Sequence, residues 1–376
     1  MKELIIIGAG QSGIACSIQA QKKKIDYLLI DKHDSLGGSW LDYPEKTKLF
    51  SPWFASIPHK KARSSHNPNA YPLRDEMSLC LQKLGAQEKV NFRGGLNLLR
   101  EGISYNNEDK SFLIKTDTTN LCSKCVILAL GPYSHIKNIN LQGEENFKGI
   151  VKHAHSYKKP EDYPGVKKVV VVGSRNSAIQ IAYDFSKNGK EVILSFRGEK
   201  IFWMKKKIFG KFVHYFLHNL KLDYMIGFLR KMFAVQDKTV FDDGIYQSIF
   251  DSGKILQKSL PVDIKGNDIT WDDGVITNNV DLIIKAVGYE KQEITLKRYI
   301  DEETYTLFIK KKIPLILCGM GKTVRSSVRW AERNAKNLFI PTQSMLQKRS
   351  ITLFLVKILK KCIRYLLLIK NKLSIY

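Results

Sequence analysis

The chain opens with a short apolar run that leads directly into a glycine-rich turn, Leu4-Ile5-Ile6-Ile7-Gly8-Ala9-Gly10-Gln11-Ser12-Gly13. Four consecutive aliphatic residues are typical of a buried parallel strand. Apolar residues at helical spacing follow the turn, so the pattern predicts a strand, a glycine turn and a helix. In such a unit Gly8 permits the tight turn, Gly10 lets the backbone approach a pyrophosphate, and Gly13 lets the helix pack on the strand.

A second strand extends this pattern. The run from Tyr27 to Ile30 ends at Asp31, about twenty residues beyond the turn, where a carboxylate can accept hydrogen bonds from ribose hydroxyls. Gly38 then allows a close backbone approach, and Trp40 offers a flat apolar face near the ligand. The sequence therefore predicts a dinucleotide site, and a glycine turn without a ligand is the alternative.

A second nucleotide turn is predicted in the middle of the chain. The apolar run from Val169 to Val172 leads into Gly173-Ser174-Arg175-Asn176-Ser177-Ala178 and a helical pattern. Arg175 replaces the middle glycine, and its side chain would crowd a pyrophosphate if it pointed inward or clamp a phosphate if it pointed outward.

The strand after this second turn indicates which nicotinamide cofactor binds. It ends at Arg197, where an NAD-binding domain usually places an acidic residue. A guanidinium there fits a ribose 2′-phosphate, which favours NADPH over NADH. A solvated charge at a strand end is the alternative interpretation of Arg197.

Composition limits the class of protein. The 376 residues are 44% apolar and 26% charged, which excludes a disordered or fibrous chain. The net charge of +25 favours an anionic partner, but no RNA- or DNA-binding motif accompanies it, so nucleic acid is disfavoured. Six irregularly spaced cysteines indicate a reducing, cytoplasmic environment, and no four-ligand metal pattern is present.

A more specific motif lies between the two turns. It has the form FxGxxxHxxxY and consists of Phe147, Gly149, His153 and Tyr157. With this motif, and with Gly37-Gly38 and Trp40 after the first turn, the chain resembles the class B flavin-dependent monooxygenases. Baeyer–Villiger members have tryptophan at the position of Tyr157, so the tyrosine favours relatives that oxygenate nitrogen or sulfur or hydroxylate nitrogen. His153 is a candidate in the site, and a buried structural histidine is the alternative.

Further segments agree with this resemblance over about residues 1 to 340. Two strand-to-glycine segments end at Gly131 and Gly288, both without the family's usual threonine, and a closing strand of the FAD domain ends at Gly319. Ser51 stands roughly where many members place an asparagine beside the flavin, which makes it a second catalytic candidate. The pair Cys122 and Cys125 leads into the first of these strands, not into the NADPH domain as in thioredoxin reductases, which disfavours a redox role.

The resemblance implies an α/β fold with two Rossmann-like domains, in which an NADPH domain at 148–295 is inserted between FAD-domain parts at 1–147 and 296–345. It implies that NADPH reduces FAD and that a flavin C4a-hydroperoxide, formed with O2, transfers one oxygen atom to a small, soft nucleophile. Two alternatives remain open, an NADPH-dependent flavin reductase or oxidase without oxygenation and a membrane-attached dinucleotide sensor.

Two basic apolar segments suggest a lipophilic substrate and an anionic membrane surface as a partner. Residues 201–235 are predicted as a helical insert of the NADPH domain, and 346–376 as an amphipathic tail with lysine and arginine on one face. Charged residues interrupt every long apolar stretch, so peripheral binding to the inner membrane face is favoured over a spanning helix. Packing of the tail on the protein is the alternative.

Overall fold

The computed structural model describes residues 1–44, 47–49, 51–57, 66–133, 135–198, 201–205, 207–208, 211–212, 239–242, 244–290, 292–310 and 313–318. These residues all belong to one compact unit, Met1–Ala335. Gly319, residues 206, 209–210 and 213–235 of the predicted insert, and the predicted tail at 346–376 lie outside the described ranges.

The first part of the chain alternates strands and helices and then turns to antiparallel strands. Its elements are β1 (Lys2–Ile7), α1 (Gln11–Lys22), β2 (Tyr27–Ile30), α2 (Trp53–Ser56), α3 (Arg74–Gln87), β3 (Phe92–Arg93), β4 (Leu98–Asn106), β5 (Ser111–Thr116) and β6 (Asn120–Leu128), with a 3₁₀ turn at Gly38–Leu41.

The second part begins with another strand–helix alternation. Its elements are β7 (Ile150–His153), β8 (Lys168–Val172), α4 (Asn176–Lys187), β9 (Glu191–Ser195), β10 (Phe202–Lys205), β11 (Lys207–Ile208), β12 (Lys211–Phe212), β13 (Thr239–Asp242), α5 (Ile245–Asp251), β14 (Ile255–Lys258), β15 (Asp263–Lys265), β16 (Asp268–Thr270), β17 (Ile276–Thr277), β18 (Leu282–Lys285), α6 (Gln292–Tyr299), α7 (Glu302–Ile309) and β19 (Leu315–Leu317), with 3₁₀ turns at Glu144–Asn146 and Pro160–Asp162.

Within the described ranges, seven strands form the first sheet in the order β3-β2-β1-β6-β5-β4, and β19 also pairs with β6. The strand β6 is long enough to have different partners along its length. Its first half pairs antiparallel with β5, and its second half pairs parallel with β19. The sheet therefore contains strands from both ends of the described chain.

The second sheet is formed by strands from the middle of the chain, in the order β14-β9-β8-β18-β7. Its neighbouring strands are parallel. The aliphatic runs of β1 and β8 lie at the centres of the two sheets, where Ile5, Ile6, Val169 and Val170 have no exposed surface. Burial on both faces explains why these strands are continuously apolar, and it supports the predicted α/β class.

The prediction of a helical insert at 201–235 is wrong for the residues that the structure describes. Residues 202–205 form β10, which pairs parallel with β13, and β11 and β12 pair antiparallel. Aromatic side chains favour strands when they pack on a neighbouring surface, and Trp203 packs on Phe250 with ring centroids 5.6 Å apart. Tertiary packing therefore overrides the helical spacing of the apolar residues. Among the helices that the structure describes, none combines the length and apolarity needed to cross a bilayer.

Candidate active site and cofactor-binding turns

The first glycine turn has no room for side chains at its two ends. Gly8 has a φ of +108°, and an ideal Cβ there would lie 2.5 Å from the carbonyl oxygen of Ala129. A Cβ on Gly13 would lie 1.8 Å from the carbonyl oxygen of Gly8. Because β1 ends at Ile7 and α1 begins at Gln11, these contacts hold the helix N-terminus directly above the end of the strand.

The middle of the turn is different because it is open. Gly10 has a φ of −77°, which any residue can adopt, and the nearest atom to its ideal Cβ is the Cα of Gly38, 3.9 Å away. Gly38 itself has a φ of +56°, and a Cβ there would lie 2.7 Å from the Cα of Gly10. The predicted glycine pair therefore packs on the turn, and Gly10 leaves a backbone cradle that fits a pyrophosphate at the start of α1.

Asp31 is buried and fixes the turn from the end of β2. Its Oδ2 accepts a hydrogen bond from the backbone N–H of Ala9 at 2.5 Å, and its Oδ1 accepts one from the backbone N–H of His33 at 3.0 Å. The Nδ1 of His33 also lies 2.9 Å from this Oδ1. Because a carboxylate has about four acceptor positions, one on Oδ2 remains for a ribose hydroxyl. The structure brings together Gly8, Gly10, Gly13, Asp31 and Gly38, and these residues fit the adenosine and pyrophosphate parts of FAD.

The second turn repeats the first glycine contact. Gly173 has a φ of +145°, and its ideal Cβ would lie 2.5 Å from the carbonyl oxygen of Ala286. Arg175 is the N-cap of α4 with φ −102° and ψ 176°, a conformation that needs no glycine, and its side chain is exposed. The exposed side chain of Arg175 leaves the turn uncrowded, which agrees with the outward orientation of this residue.

The other residues predicted for this turn lie around the N-terminus of α4. Ser174 and Asn176 are partly buried, Ser177 is exposed, and Arg197 is exposed two residues after the end of β9. A helix N-terminus with hydroxyl, amide and guanidinium groups nearby has the chemistry to bind phosphates. The donor set fits NADP(H).

The segments after the two strand-to-glycine motifs pair with each other. Gly131 and Gly288 both have positive φ, +74° and +87°. Beyond them, the backbone N–H of Lys137 donates to the carbonyl oxygen of Gly288 at 3.0 Å, and that of Glu290 donates to His135 at 2.9 Å. Backbone hydrogen bonds thus join the segments that leave the two sheets after Gly131 and Gly288.

A row of aromatic rings lies along this junction. The ring centroids are 5.2 Å apart for Trp40 and Tyr43, 6.5 Å for Tyr43 and Tyr133, and 5.1 Å for Tyr133 and Tyr289. The imidazole of His155 is next in the row, and its Nδ1 lies 3.4 Å from the hydroxyl of Tyr289. We call Trp40, Tyr43, Tyr133, Tyr289 and His155 the junction cluster.

The electrostatics of the junction cluster favour uncharged side chains. Burial raises the pKa of Tyr289 to about 12 and also raises that of Tyr133, although the nearby charge of Arg175 opposes the second shift. Burial lowers the pKa of His155. At neutral pH the phenols are therefore protonated and the imidazole is neutral.

The FxGxxxHxxxY motif has a clear packing role at two of its positions. A Cβ on Gly149 would lie 2.5 Å from the carbonyl oxygen of Asp281, so only glycine lets this part of the chain approach β18. Tyr157 has no exposed surface, packs 5.4 Å from the ring of Phe185, and donates a hydrogen bond to Asp184. The tyrosine therefore belongs to the core of the second sheet.

His153 lies at the edge of the junction cluster. Its Nδ1 accepts a hydrogen bond from the backbone N–H of His155, and its ring centroid is 6.0 Å from that of Tyr289. Burial lowers its pKa. Ser51, the other catalytic candidate, lies just before α2, and its Oγ is 2.8 Å from the Oγ of Ser56, the last residue of that helix.

The two cysteines of the CxxC pair lie within β6, where residues three apart point to opposite faces and have Cα atoms about 10 Å apart. A disulfide needs Cα atoms within about 7 Å. The thiol of Cys125 donates to the carbonyl oxygen of Pro314 at 3.1 Å, and burial raises its pKa to about 11. The pair is therefore unsuited to thiol–disulfide exchange.

The sequence analysis missed several residues of this region, namely His33, Asp42, Tyr43, Tyr133 and Tyr289. Tyr133 and Tyr289 follow the two strand-to-glycine segments within two residues, and carboxyl ends of parallel strands are where ligands bind. That position was the available signal for these two. No local pattern marks Tyr43 or pairs His33 with Asp42.

Comparison with known proteins gives a family and several relatives. A family model described as pyridine nucleotide-disulphide oxidoreductase matches residues 5–221. The chain is 27% identical over 290 residues to an oxidoreductase called CzcO-like from Geobacillus kaustophilus, covering 76% of this chain and 80% of that one. It is 21% identical over 331 residues to flavin-containing monooxygenase 5 of Oryctolagus cuniculus, covering 77% and 62%.

Solved structures share the fold. A flavin-containing monooxygenase from Stenotrophomonas maltophilia superposes with a TM-score of 0.68 at 20% identity, covering 90% of this chain and 98% of that one. OTEMO in complex with FAD and NADP superposes with a TM-score of 0.66 at 15% identity, covering 89% and 84%. These matches confirm the predicted α/β fold with its two Rossmann-like sheets. The predicted resemblance to flavin-dependent monooxygenases agrees with the relatives found by sequence.

Proposed function

We propose a reaction for this chain, which belongs to the pyridine nucleotide-disulphide oxidoreductase family and is an enzyme of the flavin monooxygenase type that uses FAD and NADP(H). The enzyme transfers one oxygen atom of O2 to the nitrogen or sulfur of a small soft nucleophile, and the other oxygen atom is reduced to water with the two electrons of NADPH and a proton. The observation that carries the proposal is the junction cluster, which joins residues that follow both nucleotide-binding sheets and contains no ionised side chain.

The first turn is proposed to hold FAD. The open backbone at Gly10 and the N-terminus of α1 receive the pyrophosphate, Asp31 accepts from the ribose, and Gly38 with Trp40 borders the ligand. When bound, FAD supplies the redox chemistry and the activation of O2. Gly131 and Gly319 are proposed to line the same ligand from the other strands of the sheet.

The second turn is proposed to hold NADPH. The N-terminus of α4 with Ser174, Asn176 and Ser177 faces the pyrophosphate, and Arg197 pairs with the ribose 2′-phosphate. Arg175 lies close enough to Tyr133 to influence its pKa, which places a positive charge beside the junction. We expect a dinucleotide bound at this turn to extend toward the junction cluster, in which Tyr289 directly follows Gly288.

The junction cluster favours substrates that need no acid or base from the protein. Its phenols are protonated and the imidazole of His155 is neutral at physiological pH, so its side chains position a substrate and exclude water. A thioether, or an amine bound in its neutral form, has its own lone pair and needs no base from the protein before it attacks an electrophilic oxygen. This property supports nitrogen or sulfur oxygenation, and neither Ser51 nor His153 is assigned a proton-transfer step.

The domain division is also proposed from the two sheets. Residues 1–147 and 296–345 are assigned to the FAD domain and 148–295 to the NADPH domain, which agrees with β19 pairing with β6 and with β7, β8, β9, β14 and β18 forming a separate sheet. The basic tail at 346–376 is proposed to bind anionic lipid and bring the enzyme to lipophilic substrates. Deleting residues 350–376 should then abolish binding to phosphatidylglycerol vesicles without loss of FAD, and unchanged binding would contradict this role.

Oxygen incorporation tests the proposed activity. Purified full-length protein is incubated with NADPH and ¹⁸O₂ and with a panel of tertiary amines and thioethers, and the products are analysed by mass spectrometry. We expect one labelled oxygen atom in an N-oxide or sulfoxide and a matching consumption of NADPH. NADPH oxidation with stoichiometric hydrogen peroxide across the whole panel would support the reductase or oxidase alternative. Binding of NADPH without oxidation would support the sensor.

A further inference from the structure

A histidine bridges two carboxylates beside the first nucleotide turn. The Nδ1 of His33 lies 2.9 Å from the Oδ1 of Asp31, and its Nε2 lies 2.9 Å from the Oδ1 of Asp42. The side chain of His33 is 20% exposed, and those of Asp31 and Asp42 are 8% and 24% exposed. The imidazole thus spans from the end of β2 to the end of the 3₁₀ turn that carries Trp40.

This geometry requires a protonated ring. Ionised carboxylates only accept hydrogen bonds, so both ring nitrogens must donate, which only the imidazolium can do. The hydrogen bonds to Asp31 and then to Asp42 raise the pKa of His33 to about 9, against the opposing effect of burial. The charged groups around the ring are Asp31, Asp42, Lys32, whose Nζ lies 3.2 Å from the Oδ2 of Asp42, and Lys158, whose Nζ donates to the backbone carbonyl oxygen of Asp42.

Asp42 experiences the same interaction from the other side. Burial raises its pKa, but the hydrogen bond from His33 and the charge of Lys32 outweigh burial and lower the pKa to about 2. The carboxylate is therefore ionised throughout the physiological range. A neutral imidazole could serve only one of the two carboxylates, and the other would face a nitrogen lone pair.

Both ends of the bridge lie on groups that would contact FAD. Asp31 orders the glycine turn through the N–H of Ala9. Asp42 ends the segment in which Gly38 packs on Gly10, and its backbone carbonyl accepts a hydrogen bond from Lys158 after the FxGxxxHxxxY motif. The bridge therefore ties the turn to the segment that covers it and to the start of the second domain.

We propose that the His33 imidazolium is a positioning residue for FAD, which aims the Asp31 carboxylate at the ribose and holds the Gly37–Asp42 segment against the turn. The proposal rests on FAD binding at the first turn. It does not depend on which substrate is oxygenated. FAD retention should therefore weaken once the imidazolium loses its proton.

The sign of the pH dependence follows from the raised pKa of His33. The contribution of the bridge to the stability of the fold is complete below the ordinary histidine pKa of about 6.5 and is lost as the pH rises through about 9. FAD binds to the folded apoprotein, so its affinity depends on the proton of His33 in the upper part of this range. The FAD dissociation constant of the full-length protein is measured by flavin fluorescence from pH 7 to pH 10. We expect a rise in this constant centred near pH 9.

Three variants separate positioning from general destabilisation. His33→Gln keeps one donor but no charge, and it should weaken FAD binding roughly tenfold at pH 7.5 and remove the alkaline step. Lys32→Gln removes a neighbouring positive charge that does not bridge, and it should keep the step. Asp42→Asn removes one carboxylate from His33, and it should move the step to lower pH.

The outcomes distinguish this inference from the function on which it rests. FAD binding by His33→Gln that equals the unmodified protein, or an alkaline step that persists in this variant, would overturn the role of His33 and leave the FAD site intact. Absence of FAD binding by the unmodified protein would overturn both. If His33→Gln does not fold, an unshifted step in Asp42→Asn overturns the inference, and a downward shift supports it.

Discussion

In both nucleotide turns the first glycine packs against a carbonyl from a neighbouring strand end. An ideal Cβ would lie 2.5 Å from Ala129 at Gly8 and 2.5 Å from Ala286 at Gly173. The two N–H groups donate to the ends of the next strands, to Ile30 and Ser195, each at 2.8 Å. The same backbone arrangement is thus built twice from different sequences.

The two turns differ at both later glycine positions of the motif. The first has Gly10 and Gly13 and ends at the buried Asp31, whereas the second has Arg175 and Ala178 and leads to the exposed Arg197. A glycine turn closed by a carboxylate suits a cofactor that stays bound through its ribose hydroxyls. A turn bordered by two guanidinium groups suits a cofactor with an additional phosphate that binds and leaves.

The largest effect is expected from making the first turn resemble the second at its last position. Gly13→Ala places a methyl group 1.8 Å from the carbonyl oxygen of Gly8, so α1 must move away from β1. We expect a loss of about 3 kcal/mol in the free energy of unfolding, measured by chemical denaturation.

The reverse change provides the control. Ala178→Gly removes a buried methyl group from α4 without creating a clash, and it should cost only about 1 kcal/mol. Equal effects of the two substitutions would show that the turns do not differ in how closely helix and strand approach.

The next effect concerns the cofactor and not the fold. The backbone at Gly10 has a φ of −77°, which alanine also adopts, and its ideal Cβ lies 3.9 Å from the Cα of Gly38. The Gly10→Ala protein should therefore fold normally. The methyl group would stand where the pyrophosphate approaches and should weaken FAD binding by about two orders of magnitude, or about 3 kcal/mol. Isothermal titration calorimetry of the apoprotein with FAD measures this loss of binding free energy. Full FAD content in this variant would remove the first turn from the site.

A smaller, selective effect is expected at the end of the second turn. Arg197→Ala should raise the dissociation constant for NADPH about tenfold, because one charge-assisted contact with the 2′-phosphate is lost, and should leave that for NADH nearly unchanged. Arg175→Ala is the matched control, since Arg175 is the N-cap of α4, where the pyrophosphate common to both nucleotides would bind, and should affect both nucleotides alike. Equal weakening of both nucleotides by Arg197→Ala would contradict the preference for NADPH.

The smallest effect is expected in the motif between the turns. Tyr157→Phe removes a long hydrogen bond to Asp184 and keeps the buried ring, so unfolding should change by less than about 1 kcal/mol. NADPH consumption should be unaffected, because the hydroxyl lies in the core of the second sheet. A large loss of turnover with unchanged stability would assign Tyr157 a direct role in the reaction.

The sequence was sufficient for features that are local in the chain. Each nucleotide turn lies within a few residues of a continuous apolar strand, and burial of that strand on both faces leaves a pattern that is readable without tertiary information. Gly8 and Gly173 adopt the positive φ that their motif predicts. Asp31 ends its strand as expected, although its hydrogen bonds to Ala9 and His33 were not foreseen.

Features that depend on distant contacts were not predictable in this way. The rings of Tyr133 and Tyr289 meet only because two separate sheets place their strand ends together, and residues 202–205 form a strand only because Thr239–Asp242 is available to pair with them. The apolar spacing in that region matched a helix, so the pattern alone gave the wrong element. Tertiary packing decides such cases.

The central claim is tested most directly by the reaction of the reduced protein with oxygen. The FAD-loaded protein is reduced with NADPH in a stopped-flow instrument, mixed with oxygenated buffer, and followed from 350 to 500 nm. The proposed activity predicts a transient spectrum that differs from both reduced and oxidised flavin and that decays faster when an amine or thioether substrate is added. Direct return to the oxidised spectrum with stoichiometric hydrogen peroxide, with and without the substrate panel, would contradict it.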